Sequence, residues 1–408
     1  MLIQKEWRIL DEAVGTATLA ARVFALRQLS EDSARQQFLN PQLDALYDPF
    51  LLPDMAAACQ AIQQAILANQ LIIVHGDYDV DGLTATALLV RFLRRNGIAC
   101  EPLIPDRLVD GYGLSENSVA RAKALGAQTL ITVDCGVTSV DVVADLEQAG
   151  VAVVITDHHE CGPVLPAARA VVNPKRTDSQ YPTTSLCGVG ITFKLIQALE
   201  QILHLDALDL AEYALVALGT VADVVPLLDE NRILVREGLK ALNRRLHLGL
   251  SALAAQCTSS DKPIDATTIG YSLAPRLNAA GRLGAALPAL ELLLTDDPAR
   301  AAQLAGQLQE LNSQRQALEA AILSEAIDEI EQSFDFGTTN LIILAREGWH
   351  TGVVGIVCSR LVDLYQRPVI VLGGDNGHFK GSARTCGTFD ILEAIRAGAA
   401  FTRTFGGH

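Results

Sequence analysis

The chain has 408 residues, of which 50% are hydrophobic and only 5% aromatic, and it carries a formal net charge of −15 at pH 7. This length and composition predict roughly two or three well-packed α/β domains and exclude a disordered chain. The acidic balance argues against indiscriminate binding of nucleic acid, because phosphate backbones are held mainly by clustered Lys and Arg. It leaves open a local basic groove, and carboxylates that bind cations.

The cysteines and the apolar runs bear on the compartment. Eight cysteines lie far apart without a CxxC pair, and the first residues lack the apolar core of a signal peptide. Charged residues or turn signals interrupt every apolar run before it reaches the roughly 20 residues that a membrane span needs. We therefore expect reduced thiols, a cytoplasmic location and no transmembrane segment.

The first half of the chain predicts an extension followed by an α/β domain. Residues 1–55 carry no repeated strand signal and predict short helices and loops. Short apolar strands then alternate with helices: we predict strands at residues 71–76, 130–134 and 151–155, and a helix at about residues 83–95. Each strand is a nearly continuous β-branched run, typical of parallel strands covered on both faces. The pattern predicts an α/β fold with a doubly wound parallel sheet.

The second half predicts a long helix between two folded units. Residues 186–297 are mostly helical in pattern, and residues 298–333 begin with Pro298 and are rich in Ala, Leu, Glu and Gln. They predict one unbroken helix about 50 Å long, either a strut that joins two lobes or a long surface helix. A new α/β unit begins near Leu341, so we divide the chain into residues 1–55, 56–297, 298–333 and 334–408.

Polar side chains follow the predicted strands at the point where each strand ends. Eight Asp and His residues occupy these positions: His75, Asp77, Asp79 and Asp81 at the end of the first strand and directly after it, Asp134 at the end of the second, and Asp157, His158 and His159 at the end of the third. Ligands of open α/β sheets bind at the carboxyl ends of the strands, where these carboxylates would repel one another without cations. Mixed Asp and His ligands without nearby thiols favour Mn²⁺ or Mg²⁺.

Two other classes of site do not fit this segment. A calcium-binding EF-hand loop needs a Glu six residues after its Gly, whereas LTATALLV follows Gly82 and offers no carboxylate. A dinucleotide-binding domain needs GxGxxG after the first strand, where this chain has acidic residues that would repel a pyrophosphate. A further carboxylate, Asp223, lies among apolar residues in ALGTVADVVPLLDENR. It either caps a helix, satisfies a local Arg, or completes the metal site.

Taken in order, these motifs resemble a known family. HGDYDVDG, TVDCG, TDHH and GTVADVVPL resemble the DHH phosphoesterases. IPDRLVDGYGLS, LCGVGITFKL, APRLNAAGRL, GWHTGVVGIVCSR, GSART and FGGH resemble the RecJ nucleases within that superfamily. The resemblance covers nearly everything after residue 55. It implies a DHH domain over residues 56–297, joined by the long helix to a smaller α/β DHHA1 domain over residues 334–408, with a cleft between them.

The resemblance also implies which residues bind two divalent cations. One cation is held by His75, Asp79 and Asp134, and the other by Asp81, Asp134, His158 and Asp223. Asp77 and Asp157 are implied to orient these ligands. Asp134, His158 and His159 are the expected catalytic residues, with His159 on the scissile phosphate or, alternatively, packed as a core histidine.

Residues outside the metal site are implied to bind the substrate. Arg107 and Tyr112 lie in a Gly-containing loop that offers a cation and a stacking surface, or forms an ordinary turn. Arg276, Asn278 and Arg282 either extend a basic wall or fix a helix hairpin. The expected contacts of the second lobe are His350, Arg360, Ser382, Arg384, Gly406, Gly407 and His408. We favour Arg384 over Arg360 as the anchor of a terminal 5′ phosphate.

The activity implied by the resemblance is hydrolysis of single-stranded DNA from its 5′ end, releasing 5′-mononucleotides in DNA repair and recombination. It further implies a monomer that works with a single-stranded-DNA-binding protein and a helicase. In this family the GGH motif continues into an OB-fold domain, so we expect the DHHA1 domain ending at His408 to be incomplete. Two alternatives are a DHH phosphodiesterase for short oligonucleotides or cyclic dinucleotides, and a non-catalytic replication scaffold.

Overall fold

The computed structural model describes residues 18–406 except 28, 108, 109, 112, 259–261, 376 and 404. Three of the expected substrate contacts, Tyr112, Gly407 and His408, lie outside the described residues, as do residues 1–17 of the predicted extension. A long helix divides the described part of the chain into a first lobe before it and a second lobe after it.

The first lobe contains a five-stranded sheet with helices around it. Its strands are β1 Ile72–His75, β2 Cys100–Leu103, β3 Thr129–Val133, β4 Ala152–Thr156 and β5 Ala170–Val172. Its helices are α1 Leu19–Leu26, α2 Asp32–Leu39, α3 Met55–Leu67, α4 Val80–Arg95, α5 Glu116–Ala124, α6 Val140–Gln148, α7 Gly188–Leu203, α8 Tyr213–Ala222, α9 Asp229–Asn243, α10 Leu248–Cys257, α11 Ala266–Thr268, α12 Ala274–Arg282 and α13 Leu287–Leu294. A π-helical segment, Ile269–Leu273, separates α11 from α12.

The connecting helix is α14 Pro298–Ser333, and a smaller α/β lobe follows it. Its elements are β6 Ile342–Glu347, α15 Val354–Tyr365, β7 Val369–Asp375, β8 His378–Arg384 and α16 Ile391–Ala397. In its three-stranded sheet, β7 is central, parallel to β6 and antiparallel to β8.

The sheet of the first lobe is parallel throughout, in the order β2-β1-β3-β4-β5. Alternate side chains of β1 enter different cores: Ile72 and Val74 pack with α3, α4 and α7, whereas Ile73 packs with residues of α5 and α6. The sheet is therefore covered on both faces, and the predicted doubly wound fold is confirmed. The sequence pattern missed the two edge strands, because β2 (CEPL) contains Glu and Pro and β5 has only three residues.

The helix after β1 begins earlier than predicted. It starts at Val80 instead of near residue 83, because Asp79 is its N-cap and accepts a hydrogen bond from the Gly82 N–H at 3.1 Å. Asp81 therefore lies in the first turn of α4 rather than in a loop. The acidic segment is thus tied to a helix start directly above the end of β1.

The connecting helix α14 packs on both lobes. Its first half contributes Ala301, Leu304 and Leu308 to the core that α10, α12 and α13 share, and its second half contributes Ile322 and Ile330 to the core of the second lobe. The strut interpretation is therefore the one that the structure supports. Among the described residues, no helix is both long enough and apolar enough to cross a membrane. All eight cysteines are free thiols.

A buried ion pair ties the segment before α3 to the first lobe. The Lys194 ammonium is fully buried and lies 2.6 Å from a carboxylate oxygen of Glu230. It also donates to the carbonyl of Tyr47 at 2.6 Å, while the Tyr47 N–H donates to Glu230 at 2.8 Å. Residues near position 47 are thus integrated into the lobe, although the predicted extension runs to residue 55.

We expect Lys194→Met to lower the free energy of unfolding by about 3–5 kcal/mol, because it leaves the Glu230 carboxylate buried without its cation. The double variant Lys194→Met/Glu230→Gln should lose less than the sum of the single variants. Urea denaturation of the wild type, Lys194→Met, Glu230→Gln and the double variant measures both effects. A single-variant loss below about 1 kcal/mol would show that the pair contributes little.

Candidate metal centre

The ends of β1, β3 and β4 bring the predicted Asp and His residues to one edge of the sheet. Asp134 follows β3 directly, and its backbone N–H donates to the carbonyl of Thr156 at 3.0 Å. Its backbone is left-handed, with φ 63°, a conformation that Asp and Asn tolerate better than most residues. This turn leaves the carboxylate buried beside the end of β4, where His158 lies.

The His158 ring lies close to three carboxylates of this cluster. Its Nε2 lies 3.1 Å from Asp134 Oδ1 and 3.9 Å from Asp81 Oδ2, and its Nδ1 lies 3.8 Å from Asp223 Oδ2. The described residues form three groups in which the potential ligand atoms lie within 4.8 Å of one another: Asp134 with His158 and His159, Asp81 with His158 and Asp223, and Asp77 with Asp79 and Asp134. Asp134 and His158 each belong to two groups, so the geometry suits two neighbouring cations.

Asp157 has the surroundings of an orienting group. Its Oδ2 accepts the Val137 N–H at 2.9 Å, and its Oδ1 accepts the His158 N–H at 2.7 Å. The same Oδ1 lies 2.8 Å from His159 Nδ1. Burial would raise the pKa of Asp157, but the hydrogen bond and charge of His159 and the backbone N–H groups outweigh burial and lower this pKa. Asp157 therefore remains a carboxylate that holds the His159 ring.

Asp81 is held by the start of α7. Its two carboxylate oxygens accept the backbone N–H groups of Gly188 at 2.6 Å and Val189 at 2.8 Å. These donors favour the ionised form, yet burial and the nearby charges of Asp223 and Asp79 raise the pKa of Asp81 to about 8. The fixed N–H groups orient the carboxylate, and its full ionisation requires a positive charge nearby.

Burial and neighbouring negative charges also raise the pKa values of three other carboxylates of the cluster. Burial, followed by neighbouring carboxylates, raises the pKa values of Asp77 and Asp134 well above their usual range and that of Asp223 to about 6. Within the described part of the chain, the buried Oδ1 of Asp77 has no hydrogen-bond partner. Divalent cations would neutralise these charges and use this lone pair, so the residues present fit a metal centre.

His75 is placed differently from the other expected ligands. Its Nε2 lies 3.0 Å from Ser118 Oγ, and its Nδ1 lies 3.6 Å from Cys135 Sγ. Burial lowers the pKa of His75 to about 4, so its ring is neutral, which is the form that binds metals. His75 belongs to none of the three close groups. In one of them Asp77 lies beside Asp79 and Asp134, the two residues that the resemblance pairs with His75.

Close approaches of glycine backbones shape the centre, and no local sequence pattern indicates them. A Cβ on Gly188 would lie 2.6 Å from Asp134 Oδ1, and a Cβ on Gly219 would lie 2.9 Å from Asp81 Oδ1. The motif LCGVGITFKL contains Gly188, but only a contact 54 positions away in the sequence, to Asp134, reveals why a glycine stands there.

Arginines from both lobes gather beside the acidic cluster. The Arg107 guanidinium lies 4.9 Å from the ring centroid of Tyr78, and Arg282 donates to the carbonyl of Gly352 at 3.4 Å. Burial, then the charges of Arg107 and Arg315 and, more weakly, that of Arg384, lower the pKa of Arg282 to about 10, whereas Asp79 raises it. A cluster of positive charge, partly buried, thus lies beside the carboxylates at the junction of the lobes.

Some of the remaining expected substrate contacts already have hydrogen-bond or ion-pair partners within the protein. Arg276 donates to Gln309 on α14 at 2.7 Å and to the Ser272 carbonyl at 2.6 Å, and Asn278 accepts the Val80 N–H at 3.2 Å. These contacts match the helix-fixing alternative. In the second lobe, His350 accepts the Gly352 N–H at 3.2 Å, and Arg360 pairs with Glu319. Ser382 and Arg384 both lie beside the position where Gly355 would carry a Cβ, whereas Gly406 is exposed.

We expect the stabilising effect of a divalent cation to increase with pH. Asp81 has a pKa of about 8 in the folded chain and about 3.9 when unfolded. Between these values the folded state holds more protons, so the free energy of unfolding of the metal-free protein falls as pH rises. The cation binds the ionised carboxylate, so its effect grows over the same window.

Calorimetry with EDTA, with Mn²⁺ and with Mg²⁺ at pH 6 and pH 8 tests this expectation. The increase in Tm on adding a cation should be larger at pH 8, and Asp81→Asn should remove most of the difference. At a cation concentration of 100 times Kd, the gain is about 2.7 kcal/mol. Equal increases at the two pH values would contradict it.

Gly188→Ala should weaken cation binding by at least about tenfold, because the added Cβ displaces the Asp134 carboxylate. Gly190→Ala is the matched control two residues further along α7, where the nearest atom to a Cβ is a flexible leucine methyl at 3.3 Å. Titration calorimetry with Mn²⁺ should separate the two variants. Comparable Mn²⁺ affinities in both would rule out a tight fit at Gly188.

Comparisons with known proteins agree with this architecture. Residues 71–220 match the model of the DHH family, N-terminal domain, and residues 338–408 match that of the DHHA1 domain. The structure is similar to RecJ from Thermus thermophilus in complex with Mn²⁺, with a TM-score of 0.81 and 35% identity over 95% of this chain and 55% of that chain. The same Thermus protein in complex with Mg²⁺ gives a TM-score of 0.73 and 33% identity over 95% of this chain and 52% of that chain.

Curated relatives share the same name. The chain is 39% identical to the single-stranded-DNA-specific exonuclease RecJ of Bacillus subtilis (strain 168), over 99% of this chain and 51% of that protein. It is also 39% identical to RecJ of Dickeya dadantii (strain 3937), over 96% of this chain and 70% of that protein. The chain thus spans 51% of the length of the first of these relatives and 70% of the second. With both domains matched and this identity along nearly its whole length, the chain belongs to the RecJ family of DHH phosphoesterases.

Proposed function

We propose that this chain hydrolyses phosphodiester bonds of single-stranded DNA from the 5′ end and releases 5′-mononucleotides, with Mn²⁺ or Mg²⁺ as cofactor. The observation that carries the proposal is the arrangement of Asp and His groups around Asp134 and His158, with arginines of both lobes beside them. Relatives of this chain are named single-stranded-DNA-specific exonucleases, and the Thermus protein binds both cations, which supports the proposal.

The residues that would hold two cations are those predicted from the sequence, with one addition. Asp79 and Asp134 would bind the first cation together with His75 or Asp77, and Asp81, Asp134, His158 and Asp223 would bind the second. When bound, two such cations activate a water molecule for in-line attack on phosphorus and stabilise the departing oxygen.

The protein groups around the cations would position the substrate. His159 is oriented by the contact of its Nδ1 with Asp157, so Nε2 is the ring nitrogen that would contact the scissile phosphate. This contact with Asp157 raises the pKa of His159 against the opposing effect of burial, which favours a protonated ring near a phosphate. His159 would therefore contribute positive charge where the attacked phosphate becomes more negative.

The second lobe would recognise the end of the strand. Ser382 and Arg384 lie beside Gly355 in the first turn of α15, where backbone N–H groups point out of the helix. A terminal phosphate carries more negative charge than an internal one, so it is the stronger ligand for this arrangement. Arg384 remains our choice for the anchor, because Arg360 already pairs with Glu319. Tyr78 and Arg107 would support a neighbouring nucleotide by stacking and charge.

Cellular context belongs to the same proposal. We propose that the chain is a monomer and acts in the cytoplasm, in DNA repair and recombination. Its further partners would be a single-stranded-DNA-binding protein and a helicase. Free thiols along the chain are compatible with a reducing compartment. Co-sedimentation with a single-stranded-DNA-binding protein, and light scattering of the isolated chain, test the partner and the monomer.

The decisive assay is digestion of end-labelled oligonucleotides in Mn²⁺ and in EDTA. We expect mononucleotides to appear from the 5′ end of single-stranded DNA, with activity falling as salt rises. Asp134→Ala, Asp81→Ala and His158→Ala should abolish hydrolysis. Asp77→Ala should reduce it by about 10 to 100-fold if Asp77 orients a ligand, and should abolish it if Asp77 rather than His75 binds the first cation. Arg384→Ala should weaken binding of the strand end while leaving the affinity for Mn²⁺ unchanged.

Substrates without a free 5′ end provide the control. Circular single strands, blunt duplexes, cyclic dinucleotides and dinucleotides are tested beside the linear strand. Equal cleavage of duplex and single strand, internal cuts in a circle, or hydrolysis of dinucleotides alone would refute the 5′ exonuclease. Retention of more than a few per cent of activity by folded Asp134→Ala would refute the metal assignment.

A further inference from the structure

A buried polar cluster lies in the middle of the connecting helix, where an apolar face would be expected. Asn312, Arg315 and Glu319 are on one face of α14, and each is at least nine-tenths buried. Arg315 donates to Asn312 Oδ1 at 2.6 Å and pairs with Glu319 one turn further along the helix. Such groups are costly to bury, so a compensating role is expected for them.

Glu319 also reaches the second lobe. Its second carboxylate oxygen pairs with Nε of Arg360, which lies on α15. Glu319 is 4% exposed, whereas the side chain of Arg360 is 58% exposed. One buried carboxylate therefore holds two guanidinium groups, one from the connecting helix and one from the second lobe. This double pairing adds a polar link between α14 and α15 to the apolar packing that the two helices share.

The helix that Glu319 holds also supports the expected anchor of the strand end. A Cβ on Gly355, in the first turn of α15, would lie 2.9 Å from Ser382 Oγ and 3.9 Å from the Arg384 guanidinium. Ser382 therefore packs against the Gly355 backbone with no room for a Cβ, and the Arg384 guanidinium lies beside it, so β8 and α15 are in direct contact at this point. The position of Arg384 relative to the first lobe therefore follows the position of α15.

The loop before α15 fixes the same lobe from the other side. Gly352 approaches the end of α12 so closely that a Cβ would overlap the Arg282 carbonyl, and Arg282 donates to the Gly352 carbonyl at 3.4 Å. Arg315, held by Glu319, is among the charges that act on Arg282. Both lobes and the helix thus meet at a cluster of arginines, and the pairings of Glu319 set the spacing of part of that cluster.

We propose that Glu319 is a positioning residue: through Arg360 and Arg315 it sets the second lobe on the connecting helix and thereby places Arg384 opposite the metal centre. The inference rests on the proposed function for its substrate, a strand with a 5′ phosphate. Glu319 itself is buried and does not contact the strand. Its effect is on the recognition of the strand end, and it leaves cation binding in the first lobe unchanged.

The test compares Glu319→Gln with a matched control on the same helix. Glu329 also pairs with an arginine of the second lobe, Arg346 at 2.9 Å, but it is half-buried, with a side chain that is 32% exposed. We expect Glu319→Gln to reduce kcat/KM for a 5′-phosphorylated strand by on the order of 10 to 100-fold, mainly through KM, because a misplacement of about 1 Å can cost that much. Glu329→Gln should change it by less than about twofold.

Two further readouts separate positioning from a merely structural role. Glu319→Gln should lose most of the preference for a 5′-phosphorylated over a 5′-hydroxyl strand, while its affinity for Mn²⁺ stays at the wild-type value. Hydrogen exchange should become faster in α15. Glu319→Asp, which keeps the charge, should recover part of the preference. Arg360→Gln breaks the same ion pair from its exposed side. If Glu319→Gln fails to fold, the same measurements are made on Arg360→Gln.

The outcomes are distinguishable from those of the proposed function. If Glu319→Gln lowers only Tm, and its kinetics and 5′-phosphate preference match those of Glu329→Gln, the positioning role is overturned. If the wild-type chain does not degrade single strands, the proposed function fails. The positioning role is then decided by fluorescence anisotropy with 5′-phosphorylated and 5′-hydroxyl oligonucleotides. Equal binding of the two by wild type and by Glu319→Gln overturns it.

Discussion

The main electrostatic constraint on this structure is the repulsion between carboxylates that three parallel strands bring to one edge of the sheet. The surrounding fold has to offset that repulsion. Asp77, Asp81 and Asp134 are buried together, and their raised pKa values express the cost of this arrangement. Oriented donors, such as the N–H groups at the start of α7, stabilise the ionised carboxylates, and bound cations would neutralise them. The early start of α4 and the glycines of α7 and α8 all serve this geometry.

Positive charge from several parts of the chain lies beside the acidic centre. Although the whole chain has a net charge of −15, arginines from the first lobe, the connecting helix and the second lobe gather at one junction. A chain with a net negative charge can therefore carry a local cluster of positive charge, because screening confines charge interactions to about 8–10 Å at physiological salt. The connecting helix maintains this arrangement by packing its apolar residues into both cores.

Much of the site was predictable because strand ends are local features. The runs before His75, Asp134 and Asp157 are continuous and β-branched, so both the sheet and the convergence of its polar ends followed from the sequence. The edge strands β2 and β5 were missed, because they are short and one contains Pro. Contacts between distant segments had no local signal: neither the hydrogen bond from Gly188 to Asp81 nor the pairing of Arg360 with Glu319 could be derived from spacing. The same limit applies to His75, whose partners Ser118 and Cys135 come from other elements.

The left-handed backbone at position 134 limits which residue types this position tolerates. Most side chains are strained at φ 63°, and only Gly, Asn and Asp adopt it at low cost. Of these three, only Asp offers an anionic oxygen. Folding and chemistry thus select almost the same residue for separate reasons, so most random substitutions at Asp134 carry two penalties. Asn is the exception: a single amide in place of the carboxylate oxygen would retain the backbone, and a descendant could lose the metal centre while keeping the fold.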